Sequence, residues 1–470
     1  MTISGLETAI DPSRILTDSA SLAARSRDWW PLARIRERNG KFVLPAAVVL
    51  PQTAEEIAAV VRWARSSKTA LIPRGGGSGV SGGALAEQNA VIVDMSGMAE
   101  VIDLDMESNV VHAQAGIVGA DLEKNLARSG LTIGHYPQSM NLSTVGGWIA
   151  AAGAGQATPG YGLIEDRVVG MRVVLGTGAI VELEPRPRSA AGPDLRRLMI
   201  GSDGSLGIVT DAHLVCSPKR AGFSWHAFSA ADFGDCLAFA RTVRWDRIEP
   251  TILRGWDPVD AESGFASFDH GAVPVILVGF DLALPGLEDR IERVKSIAAG
   301  LGARNLSNTY GQFWWDHRLD AVQSFEDILG PTRALGDGAM LDTLEVAGLW
   351  SQLPRLYRDI RNALAPHTGK VGCHFSHVYS SGAALYYTFT LQAGDDEGLE
   401  DLYWQAWDAA IAACRNAGGT ISHHHGMGRL KARYAEREFG HEGMTVLRDI
   451  KRALDPDGIM NPGALIPTPE

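Results

Sequence analysis

Short apolar runs alternate with helical periods along the first part of the chain. Residues 43–50 form an apolar run closed by Pro51. Thr53-Ala54-Glu55-Glu56 then precedes apolar positions at Ile57, Val60, Val61 and Ala64, a spacing that predicts a capped helix. Segments 70–73, 90–94 and 110–113 read as short strands, and 119–129 as a helix. Further on come strands at 170–175 and 179–183, a helix at 193–200, and the glycine-bearing segment 201–211. Strands alternating with helices around glycine-rich loops (74–83 and 146–162) predict an α/β domain. Past Pro218 the texture changes. Helical periods lengthen (282–302 and 398–417), strand-like runs stand at 273–280 and 383–391, and tryptophan is more frequent. The expected fold class is α+β, with an α/β first domain and an α+β second domain built on an antiparallel sheet. Residues 1–40 read as a polar N-terminal extension with a short helix near 21–39.

Composition narrows the classes. A chain of 470 residues is long for a single core, so two domains are expected. Its 45% hydrophobic and 21% charged residues are those of a water-soluble globular protein. A net charge of −12 argues against a nucleic-acid partner, which a basic face would attract, but leaves room for a local basic pocket. Cys216, Cys236, Cys373 and Cys414 are scattered with no CxxC pair, so neither a disulfide framework nor a cysteine zinc site is expected. No apolar run reaches the roughly 18 residues of a membrane span, and no signal peptide opens the chain. The expected location is cytoplasmic. The sequence is compatible with peripheral contact with a membrane and with a homodimer.

The first glycine loop, Pro73-Arg74-Gly75-Gly76-Gly77-Ser78-Gly79, follows a strand. Consecutive glycines let backbone N–H groups close on an anion, and a pyrophosphate suits such a nest; a tight turn with no ligand is the plain alternative. It is neither a GxGxxG dinucleotide fingerprint nor a Walker A loop. Three more elements follow in order: Pro137-Gln138-Ser139 with Ser143-Thr144-Val145-Gly146-Gly147, then Gly162-Leu163-Ile164-Glu165-Asp166, then Gly204-Ser205-Leu206-Gly207-Ile208-Val209. This ordered set resembles the FAD-binding domain of the vanillyl-alcohol-oxidase superfamily, also named after p-cresol methylhydroxylase. The resemblance implies a two-part FAD domain over 41–218, a cap or substrate domain over 219–440, and a C-terminal segment over 441–470 that returns to the FAD domain and carries Asn461. Residues 73–79, Pro137, Gln138, Ser139, Ser143, Thr144, Gly146, Gly147, Glu165, Gly204, Gly207, Ile208, Val209 and Asn461 are the implied cofactor contacts. Ser78 stands where some relatives attach FAD through a histidine, so non-covalent FAD is expected.

In the second domain the run Ile421-Ser422-His423-His424-His425-Gly426 is the most unusual. Three readings compete: a metal site needing ligands from elsewhere, an acid–base site, or histidines that only satisfy buried polar groups. The run resembles the active-site motif of the alkyldihydroxyacetonephosphate synthases, as do Gly134-His135-Tyr136-Pro137, Leu253-Arg254-Gly255-Trp256 and Ser381-Gly382-Ala383-Ala384-Leu385-Tyr386. The resemblance implies catalytic roles for Tyr386, His423, His424, His425, Arg254 and Arg333. His374 and His377, in the strand before Tyr386, are candidates for substrate contact. The synthases carry an acidic residue where this chain has Gln138, and the glycine loop is closer to that of bacterial glycolate and D-lactate dehydrogenases. Metal-dependent dehydrogenases of that group carry Asp-Gly-Asn and Glu-His-Gly motifs. Here Gly372-Cys373-His374-Phe375-Ser376-His377 lacks the first and His424-His425-Gly426 lacks the glutamate, which argues against that zinc site and leaves a histidine-only site open; no metal ligand is assigned. The expected activity is FAD-dependent oxidation of a small 2-hydroxy acid or alcohol, with hydride transfer to flavin N5 and Tyr/His acid–base help. The substrate is expected to be a small anion, a carboxylate or phosphate. The alternative is a synthase-like transferase that exchanges an acyl group for a fatty alcohol through a flavin N5 adduct.

Overall fold

The computed structural model describes residues 3–269, 271–330 and 332–468, apart from the side chains of 321–324. Thr53 is extended and its Oγ accepts from the Glu56 N–H at 3.1 Å, capping the helix Ala54–Ser67. Ile57, Val60, Val61 and Ala64 fall on one face of that helix and are buried. The helix joins the strand Ala47–Val49 to Leu71–Arg74. Val91–Asp94 lies between the two in the sheet, parallel to both. Ile15–Leu16 adds an antiparallel edge and completes a four-stranded sheet. A second, antiparallel sheet of five strands follows in the order Val101–Asp105, Val110–Gln114, Gly207–Val215, Val168–Leu175, Ile180–Leu183. The two sheets and their helices share one core.

The second domain is a seven-stranded antiparallel sheet. Four of its strands run in the order Ile252–Trp256, Val371–Val378, Gly382–Gln392, Ala339–Leu349, the last at the sheet edge. The helices Phe233–Trp245, Leu353–Leu364 and Asp396–Asn416 bury their apolar faces on one side of it. The two-residue period of a strand then decides what faces the first domain. Leu385, Tyr387 and Phe389 go into the helical core, so Tyr386 and Thr388 look the other way. Cys373 and Phe375 go in, and His374 and Ser376 look out.

Residues before 41 do more than lead in. The predicted helix near 21–39 is two, Ser19–Arg25 and Pro31–Arg38. Leu6 and Ile10 join the core of the first domain, while Trp30, Leu32 and Ile35 join that of the second. The predicted helix at 193–200 shrinks to Arg196–Met199. The tail lies along the first sheet: the Leu71 N–H donates to Ile459 O and the Asn461 N–H to Leu71 O, both at 2.8 Å. All four cysteines are buried and free. No helix among the described residues is long and apolar enough to cross a membrane.

Candidate active site

A cleft of about 630 Å3 runs between the glycine loops of the first domain and the open face of the second sheet. Pro73, Arg74, Gly75, Gly76, Gly77, Ser78 and Gly79 all line it. So do Pro137, Gln138, Ser139, Ser143, Thr144, Gly146, Gly147, Gly204, Gly207, Ile208 and Val209. The loop can take this shape only with glycine. A Cβ on Gly76 would stand 1.8 Å from Leu142 O, and one on Gly75 would stand 2.2 Å from Thr144 Oγ1. Arg74 folds beneath its own loop and donates to Arg27 O at 2.7 Å.

Two implied cofactor contacts lie elsewhere. Glu165 sits on the short helix Ile164–Arg167, away from the cleft, with its carboxyl pushed up by burial. Asn461 is buried behind the lining, donating to Gly83 O at 2.8 Å and Asp203 O at 2.6 Å, so it braces the loops rather than the ligand.

The cleft meets a test for a large polar guest. Both ring nitrogens of His135 and both amide atoms of Gln156 are buried without a protein partner, and both residues line the cleft. Buried polar atoms are normally paired, so these wait for a ligand. Burial drives the His135 ring down to about 3, so it is neutral and offers one donor and one acceptor. Beside the glycine nest, such groups fit a pyrophosphate carrying a polar heterocycle.

The sheet side supplies the chemistry. His374, Tyr386 and Thr388 reach the cleft from neighbouring strands, and the His374 and Tyr386 rings stack at 4.8 Å. His374 Nδ1 is 2.7 Å from Asp260 Oδ2. An ionised carboxylate only accepts, so Nδ1 carries the proton and Nε2 is left as the acceptor. Burial lowers the His374 ring and the Asp260 hydrogen bond partly restores it. Burial raises the Tyr386 phenol, which stays protonated. The ladder between Val371–Val378 and Gly382–Gln392 slips after Ser376, and His377 takes a left-handed φ of 49°. That bulge turns His377 into the cleft and returns Val378 to the core. His377 stacks on His423 at 5.0 Å and packs against His424 at 4.9 Å.

His424 and His425 line the cleft, and His423 stands behind them. His423 Nε2 meets the Tyr379 hydroxyl at 2.6 Å and its Nδ1 meets His424 Nδ1 at 2.8 Å. Burial holds His423 and His425 at about 4 and His424 well below its usual value, so the run is uncharged at neutral pH. The ring nitrogens of His377, His423 and His424 come within 4.8 Å of one another. Hydrogen bonds link both nitrogens of His423 to Tyr379 and His424.

Arg254 is 5% exposed, and its burial lowers it to about 10, so it remains a cation at neutral pH. It makes no hydrogen bond or ion pair with a described residue. Its guanidinium lies over Trp256 at 5.5 Å and Trp314 at 5.0 Å. The structure does not bring Arg333 to the site. It is on the surface, paired with Asp337, because the loop that carries it sits at the far end of the strand Ala339–Leu349 from the histidine run. Besides Arg74 and Arg254, Arg318 lines the cleft, laid over Trp315 at 3.7 Å. Asp260, Arg318, His135 and Gln156 were not singled out in the sequence as site residues. His135 lay inside a quoted motif, and Arg318 follows a conspicuous aromatic run, Phe313-Trp314-Trp315.

A glycine-rich nest facing histidines and a tyrosine across a cleft points to a flavoenzyme class, and comparison with known proteins gives the family. The chain matches the FAD binding domain family over residues 45–184 and the C-terminal domain of FAD linked oxidases over 225–465. It belongs to the FAD-linked oxidases, and its cofactor is FAD. It is 29% identical over 468 residues to alkyldihydroxyacetonephosphate synthase of Dictyostelium discoideum, covering 92% of this chain and 75% of that one. It is 29% identical to an uncharacterized FAD-linked oxidoreductase of Escherichia coli strain K12, covering 98% and 97%. Similarity to the glycolate oxidase subunit GlcD of Bacillus subtilis is 26% over 90% and 89%. A solved alkyldihydroxyacetonephosphate synthase superposes with a TM-score of 0.78 at 25% identity, covering 97% of this chain and 83% of that one. The relatives thus include both oxidoreductases and synthases.

Proposed function

We propose that the protein oxidises a small 2-hydroxy acid, or an alcohol bearing another anionic group, with FAD held non-covalently. The observation that carries this is Arg254, a buried cation that makes no hydrogen bond or ion pair with a described residue, in the same cleft as the His374–Asp260 pair. Its guanidinium fork suits a carboxylate or phosphate. When bound, FAD supplies a two-electron acceptor for the hydrogen on the substrate carbon. Arg254 holds the anionic end, and Asp260 keeps the His374 ring with Nε2 free. His374 Nε2 takes the hydroxyl proton as the carbonyl forms. The protonated Tyr386 phenol donates to the substrate oxygen and fixes its direction. The walls Trp256, Phe313 and Trp314 keep water from the reacting carbon.

The test is anaerobic titration of the holoenzyme with D- and L-2-hydroxy acids and uncharged alcohols. One acid should bleach the flavin band. Arg254→Met should raise the half-bleaching concentration of that acid at least tenfold and leave FAD content unchanged. Bleaching by uncharged alcohols alone would refute the anionic substrate.

The transferase is a second reading. The similarity to synthases and the apolar wall of Phe313, Trp314, Phe325 and Leu341 favour it. In it Arg254 would hold a phosphate and the wall an alkyl chain.

A further inference from the structure

Three consecutive histidines do not by themselves share a direction. Their loop is not regular structure, so something must fix its backbone. Glu345 lies on the strand Ala339–Leu349, directly across the ladder from Tyr386. It is fully buried, and its side chain falls on the cleft side of the strand, in register with the cleft-lining Leu341 and Thr343. One carboxylate oxygen accepts three successive backbone N–H groups: His423 at 3.2 Å, His424 at 3.3 Å and His425 at 2.9 Å. The Ser422 hydroxyl donates to the same oxygen at 3.1 Å. The other oxygen takes the Lys431 ammonium, itself fully buried, and lies 3.5 Å from His425 Nδ1. A buried carboxylate normally pairs once or twice. Here four donors of one loop and a private counter-ion converge on it.

We propose that Glu345, neutralised by Lys431, is the positioning residue of the site: it pins the backbone of residues 423–425 so that His424 and His425 stand against Tyr386. The result is visible in the rings. The Tyr386 ring lies 5.9 Å from that of His424, nearly parallel, and 5.6 Å from that of His425, edge-on. Glu345 and Tyr386 share a register position, so one ladder carries both the phenol and the clamp for the imidazoles. The role concerns geometry and holds for any reaction run in this cleft. Its kinetic consequence rests on the oxidoreductase reading.

Removing Glu345 alone strands a buried Lys431, so the informative variant is the double Glu345→Leu/Lys431→Met, which replaces the pair with apolar groups of similar size. Amide hydrogen exchange on the oxidised holoenzyme needs no substrate. In the double variant the amides of residues 423–425 should exchange at least tenfold faster. Met427 and Gly428, whose amides are held by Asp203 at 3.0 and 2.8 Å, serve as the internal control and should not change. With a bleaching substrate in hand, the double variant should lose at least a hundredfold in the rate of flavin reduction while half-saturation moves less than threefold. Glu345→Gln/Lys431→Met, which keeps an oxygen for the three amides without stranding the ammonium, should recover most of both. Unchanged exchange at 423–425 in a folded Glu345→Leu/Lys431→Met variant would overturn the proposal, as would a Glu345→Gln/Lys431→Met variant no better than it. A wild type that no hydroxy acid or alcohol bleaches would sink the oxidoreductase reading and leave the exchange result to decide on Glu345.

Discussion

At the residue scale the proposed oxidation divides its labour between an orienting acid, Asp260, a base, His374, and a phenol, Tyr386. Asp260→Asn tests the first. An amide can donate to His374 Nδ1 and so favour the wrong tautomer, with the proton on Nε2. The rate of flavin reduction should fall by about 10²–10⁴, with FAD retained. The pH profile carries a sign. His374 must be neutral to accept a proton, and burial lowers its ring below the usual value of about 6.5. The wild-type rate should therefore be level above neutrality and fall only as pH drops through that lowered value. The Asp260 carboxylate raises the ring, so Asp260→Asn should push the acid limb lower still. An acid limb above pH 7 would speak against His374 as the base. Tyr386→Phe and His424→Ala should each keep the flavin spectrum and lose turnover, because both residues reach the cleft from the other domain, Tyr386 from its sheet and His424 from a loop beside it. Loss of bound FAD in either would contradict that division.

At the scale of elements, close approach makes the cofactor nest. Gly76→Ala would drive a methyl group into Leu142 O, a backbone atom that cannot swing aside. Purified Gly76→Ala should carry less than a tenth of the wild-type FAD, read from the ratio of flavin to protein absorbance; full occupancy would show that the loop is not the nest. The nest was legible in the sequence because its demands are local: glycine where backbones touch, Thr53 where a helix begins. The chemistry was less legible. His374 and Asp260 are 114 residues apart and meet only through tertiary packing. The strand Val371–Val378 alternates through Cys373-His374-Phe375-Ser376, but the bulge that turns His377 has no sequence mark. Arg333 was implied by resemblance alone. The resemblance pointed to a neighbourhood in the chain, and the fold brings Arg318, at the end of the aromatic helix Thr309–His317, to the cleft.

At the scale of the whole molecule, the cleft exists because two sheets with separate cores face each other, and segments of both ends of the chain tie them together. Trp30 enters the second core and its Nε1 donates to the Tyr403 hydroxyl at 2.8 Å, while the tail returns to Leu71. The cofactor and the acid–base groups therefore arrive from different domains and meet only in the folded whole. The most direct measurement is anaerobic. The oxidised holoenzyme is mixed with the 2-hydroxy acid panel and, separately, with acyl-dihydroxyacetonephosphate followed by a fatty alcohol, while flavin absorbance and products are followed. Stoichiometric bleaching by one hydroxy acid, with one equivalent of the 2-keto acid formed, is the expected result. Bleaching by the acyl-phosphate ester alone, reversed by the fatty alcohol without oxygen and with an ether as product, would contradict the oxidoreductase and establish the transferase.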